Sequence, residues 1–142
     1  MNNFLLTVGA APLVFLGIFS LILFFILYLI QYIYISICLK RICKIIFNNE
    51  NHFSLPLEPF NCFFISILPI VFWRELLNIK YGLHFKKLYR KDFYYPIDKT
   101  QLMKLTKKFP LFFYLQYLIY LSSLLFLLFG STSYVIDKFF ES

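Results

Sequence analysis

Charge is scarce in this 142-residue chain, and two long runs carry none at all. Only 15% of residues are charged, against about a quarter in an average globular domain, while 61% are hydrophobic. A soluble fold of this size would leave much of that apolar surface in water, so the composition excludes an ordinary soluble domain. Small residues are also few. With four glycines and two alanines (Ala10 and Ala11), the chain has no glycine-rich loop to cradle a phosphate. It has no G-x-S-x-G, no HExxH and no CxxC.

The remaining reactive side chains do not assemble into a recognisable centre. Cys38, Cys43 and Cys62 with His52 and His84 lack metal-ligand spacing, so neither a metal nor a cofactor is expected, and the thiols read as reduced. Asp92 and Asp98 are the nearest carboxylate pair, but Asp98 has a capping role and Asp92 follows Arg90 and Lys91. Glu75 beside Arg74 reads as a local ion pair. These readings speak against an enzyme. The interleaved bases and aromatics of FKKLYRKDFYY could suit nucleic acid, but proximity to a membrane explains them without it.

The uncharged runs dominate what is present. Residues 12–39 hold 28 positions without Asp, Glu, Lys, Arg or His, where about 20 suffice to cross a hydrocarbon core of about 30 Å. The run is too long, and its N-terminal flank too poor in bases, for a cleaved signal peptide. Residues 110–131 make a second span, again without an ionisable acid or base, which argues against a proton pump working alone. Thirteen of the 14 Lys and Arg lie between Lys40 and Lys108, against five acids. By the positive-inside rule this stretch is cytoplasmic, and residues 1–11 and 132–142 are outward-facing tails. The expected fold is therefore an all-α integral membrane protein. It is a two-helix transmembrane hairpin with a cytoplasmic, partly interfacial helical segment at residues 40–109.

Within that segment, residues 60–73 are apolar but short and broken by Pro69, which suggests a re-entrant or interfacial helix. Residues 74–91 have helical periodicity, with Leu76, Ile79 and Leu83 opposite Lys80, His84, Lys87 and Lys91. The expectation is that the apolar side sinks below the headgroups while the lysines meet anionic lipid. Residues 98–109 form a further helix, opened by a capping box between Asp98 and Gln101. There Leu102, Leu105 and Phe109 lie opposite Lys104, Lys107 and Lys108. The headgroup contacts expected are thus Lys80, Lys87, Lys91, Lys104, Lys107 and Lys108, with Tyr94 and Tyr95 at the same level.

The two spans must meet through small and polar groups, because lipid tails are as apolar as leucine. Gly17, Ser20, Tyr28 and Gln31 lie near one face of the first. Gln116, Tyr120, Ser123, Leu127 and Gly130 recur along the second. Gln31 is nine residues before Lys40 and Gln116 eight after Lys108, so the two glutamines sit at matching depth. The expected helix contacts are Gly17, Gln31, Gln116, Ser123 and Gly130, with pairing to a second copy or another membrane protein drawing on the same groups.

The order of a first span, a basic stretch, and an acid-capped basic helix running into a second span resembles the universal stress protein B family. Residues 86–115, KKLYRKDFYYPIDKTQLMKLTKKFPLFFYL, carry the similarity. The apolar stretch 60–73 departs from that family's pattern. The resemblance implies a bacterial inner-membrane protein linked to stress, and it transfers no functional residue. In composition alone the chain is also similar to bacteriocin immunity proteins. The functional expectation is a non-catalytic inner-membrane protein offering its basic segment to a protein partner or to anionic lipid. The alternatives are toxin immunity and an accessory subunit of a membrane enzyme or transporter.

Overall fold

The computed structural model describes the backbone of residues 2–82 and 97–140, and side chains over 11–82 and 97–138. Five helices account for most of these residues, and no strand occurs among them. They are α1 (Asn2–Phe47), α2 (Pro59–Val71), α3 (Trp73–Tyr81), α4 (Lys99–Lys108) and α5 (Pro110–Phe140). Two stretches, Ala11–Phe47 and Pro110–Lys138, are long and apolar enough to cross a membrane.

Both long helices exceed the expected spans. The 46 residues of α1 extend about 69 Å, more than twice the thickness of a hydrocarbon core. Hydropathy marks where a helix suits lipid, but it does not mark where the helix ends. Lys40, Arg41 and Lys44 are good helix formers, so α1 continues past the basic border. It stops where Asn48 adopts a left-handed φ of 55°, a conformation Asn tolerates. The segments read as tails, residues 1–11 and 132–142, are likewise helical from Asn2 onward and as far as Phe140.

The opposite correction applies to residues 74–91. α3 begins at Trp73 and ends at Tyr81, where Gly82 turns left-handed at φ 66° and its N–H bonds the carbonyl of Asn78. Apolar periodicity carries across this glycine, yet a Gly after the last turn is a common helix stop. Leu83, His84, Lys87, Lys91, Tyr94 and Tyr95 lie outside the described residues. α2 and α3 meet at Phe72 with a bend of 50°, so they form either a broken span or a re-entrant pair. At 13 residues α2 is only about 20 Å long, too short to cross alone.

The chain divides into two compact units, Met1–Leu29 with Leu118–Ser142, and Ile30–Tyr117. In the first, α1 and α5 approach closely at Gly17. A Cβ there would lie 3.7 Å from the Phe129 Cβ and 4.0 Å from the Gly130 nitrogen. Ser20 and Ser122 are buried and return their hydroxyls to their own helices, at Leu16 O and Leu118 O, each 2.8 Å.

The second unit holds a continuous apolar core. Ile35, Leu39, Ile42 and Ile46 from α1 pack with Ile65 and Leu68 from α2, Leu76 from α3, Leu102 and Leu105 from α4, and Phe112 from α5. The apolar stripe of α1 follows the helical period, with Gln31, Ile35, Leu39, Ile42 and Ile46 buried. The connection after α1 is fixed by the ion pair of Lys44 with Glu50, by Phe47 stacked on His52 at 3.8 Å, and by Leu57, which is buried. The Lys44 ammonium, donating a hydrogen bond to Glu50, holds that exposed carboxyl below the usual range.

Candidate functional site

Three features of the second unit bear on function: a glutamine pair, a buried acid and an exposed cationic surface. The Gln31 Nε2 donates to Gln116 Oε1 at 2.8 Å, and both side chains are buried. One residue beyond each glutamine, a tyrosine binds the segment around α2. The Tyr32 hydroxyl donates to Leu57 O at 2.9 Å, just before α2, and the Tyr117 hydroxyl to Pro69 O at 3.4 Å, near its end. α2 is thereby held to both long helices beside the same polar pair.

The pair is incompletely satisfied, because the Gln31 Oε1 is buried and accepts no bond. Leaving a buried polar group unpaired costs about 1–3 kcal/mol, whereas removing both partners can be nearly neutral. Gln116→Leu should therefore destabilise the protein more than Gln31→Leu, since it strands a fully buried amide. In a double-mutant cycle read by unfolding in mixed micelles, the pair should couple by about 1 kcal/mol. Zero coupling would mean that each amide is satisfied elsewhere.

The other expected contact residues are distributed differently. Gly17 sits at the α1–α5 approach, but a Cβ added at Gly130 would meet nothing within 4 Å, so close approach there does not require a glycine. Ser123 is half-buried, while Ser122 and Ser133 are the buried serines of α5. The stripe runs Gln116, Ile119, Ser122, in steps of three, so alternating steps of four and three place Ser123 and Gly130 one residue off the seam.

Glu75 is the feature that sequence reasoning missed. Arg74 is exposed, with its guanidinium 5.4 Å from the Trp73 ring centroid, whereas Glu75 is fully buried. The local ion pair does not form, because adjacent helix residues point about 100° apart and only one can face the core. Glu75 lies three residues after Phe72 and four before Ile79, on the apolar face, and that spacing was the available signal. Glu75 makes an interaction there and is not free.

Lys80, Lys104, Lys107 and Lys108, together with Lys40, Arg41, Arg74 and Lys99, are all exposed. The apolar face of α3 differs from the expectation of a side sunk in lipid. Leu76 from α3, expected below the headgroups, is buried in the protein's own core, as are Leu102, Leu105 and Phe109 of residues 98–109. Exposed and available to an apolar medium are Phe60, Phe63, Trp73, Tyr81, Leu111 and Tyr114, among others. The Lys80 Nζ lies 5.3 Å from the Tyr81 ring and 5.7 Å from the Tyr114 ring, and the Tyr81 and Tyr114 phenols hold its ammonium above the usual lysine range. α4 is set by its cap, where the Asp98 N–H donates to Gln101 Oε1 at 2.8 Å.

Cys38, Cys43 and Cys62 are free thiols, and among the described residues no group of three His, Cys, Asp or Glu side chains could hold a metal. Compared with protein-family models, curated proteins and solved structures, the chain matches none.

Proposed function

We propose that the chain is a small, non-catalytic protein of the bacterial inner membrane whose residues 40–109 present a cationic surface on the cytoplasmic face. Two helices able to cross a membrane fit a membrane protein. The single observation behind the rest is that nine described exposed cations, Lys44 among them, lie around a core to which α1–α5 contribute, against four described acids. Of those four acids, Glu50 is paired with Lys44, Glu75 is buried, Asp98 is a helix cap and Glu58 is exposed, accepting from Asn61 Nδ2. A predominantly cationic surface attracts an anionic leaflet or an acidic partner.

The spans form an antiparallel hairpin in this reading. Gly17 approaches Gly130 in one unit and Gln31 meets Gln116 in the other, a shift of 14 residues forward on α1 and 14 back on α5. The exposed apolar face of α2, with Phe60 and Phe63, and its tyrosine ties at both ends support partial insertion beside the hairpin. A stress-linked setting rests on the resemblance of residues 86–115 alone.

Isolation of the tagged full chain from native membranes tests the role. An acidic protein or enriched anionic lipid, lost when Lys104 and Lys108 become Glu, supports this reading. A stoichiometric enzyme or transporter would make the chain a subunit, and a pore-forming toxin would make it an immunity protein.

A further inference from the structure

Beside the cationic surface, α3, α4 and the start of α5 enclose an open cleft of about 490 Å³. This lies within the range of about 300–1,000 Å³ typical of small-molecule sites. Leu76, Ile79, Pro110 and Phe113 give it an apolar floor, and Lys80 and Lys107 stand in its wall. Among the described lining residues there are two cations and no acid. An apolar trough with ammonium groups beside it matches an amphiphile that has an anionic head and a hydrocarbon tail.

We propose that this cleft binds one anionic phospholipid, with its phosphate between Lys80 and Lys107 and an acyl chain along Phe113. The inference rests on the membrane reading above and narrows it from general surface attraction to a discrete site. Lys107 lies three residues before Pro110, the first residue of the second span. On that reading the cleft opens at headgroup depth, so a lipid can fill it without leaving the bilayer. The aromatic bracket of Tyr81 and Tyr114 limits the rotamers of Lys80 before binding, which reduces the entropy lost on ordering it.

The test is native mass spectrometry of the full chain in neutral detergent, titrated separately with phosphatidylglycerol, phosphatidylcholine and inorganic phosphate. Without a bilayer, general surface attraction is removed and only a discrete site retains lipid. One saturable phosphatidylglycerol per chain is expected. It should weaken about thirtyfold in Lys80→Ala/Lys107→Ala, equivalent to about 1 kcal/mol for each lysine. Leu77→Trp, which fills the cleft, should weaken it comparably, while Lys104→Ala/Lys108→Ala should leave it unchanged. Equal loss in both lysine pairs, or no loss in either, would overturn the site. So would displacement by inorganic phosphate at equal concentration, since the tail would then contribute nothing. Enrichment of phosphatidylglycerol around the protein in mixed bilayers separately tests the general reading, which can survive failure of the cleft.

Discussion

Replacing Phe112 by Ala should lower the stability of the purified protein by about 3–5 kcal/mol, while Leu111→Ala, one residue earlier on α5, should change it by less than about 1 kcal/mol. The two residues differ in surroundings. Phe112 is fully buried in the core shared by five helices and packs edge-on against Phe113 at 5.3 Å, whereas Leu111 is 49% exposed. Truncating a buried ring removes its packing and leaves a cavity that rigid helices cannot close. Unfolding in mixed micelles of rising denaturing-detergent fraction would measure both variants. The contrast also separates two views of this turn of α5. A helix start bathed in lipid would lose little at either position, so small equal effects would contradict the packed core.

A charge reversal at Glu75 should be as damaging. Glu75→Lys places an ammonium at a site with no solvent exposure, in a unit that already carries a large excess of cations. Uncompensated buried charge of this kind costs about 3–5 kcal/mol, enough to lower folded yield and broaden gel filtration. Glu75→Gln keeps the shape and much of the hydrogen-bonding capacity, so it should be milder. Glu58→Lys, at an exposed position before α2, should stay within about 0.5 kcal/mol. If Glu75→Lys behaves like Glu58→Lys, the carboxyl faces solvent as a surface ion pair would.

These two positions also mark where the sequence is legible and where it is not. Gln31 and Gln116 could be placed at one depth by counting residues from the basic border, because helical rise is constant, and they lie 2.8 Å apart. The start of α4 at Asp98 was readable because a capping box is a local arrangement. The burial of Glu75 was not readable, since it depends on which face of α3 meets the core. The reading that puts the apolar side of residues 74–91 in lipid has a related limit. Amphipathic periodicity shows that a face will be covered but not by what, and here the protein's own helices cover it. The ties from Tyr32 and Tyr117 to the backbone around α2 had no sequence signal at all, because carbonyl acceptors are common to every residue. Ser123 and Gly130 were displaced by a single residue, a limit set by reading helix faces from steps of three and four.

The proposed hairpin and its proposed cationic inner face are tested most directly by topology. Reporters active only inside or only outside the membrane would be fused after Asn3, near Asn49, near Asp92 and after Ser142. Inside signals at Asn49 and Asp92, with outside signals at both termini, are the expected result. Opposite signals at Asn49 and Asp92 would contradict it, because the bent pair α2–α3 would then cross as a third span and divide the basic segment between two faces.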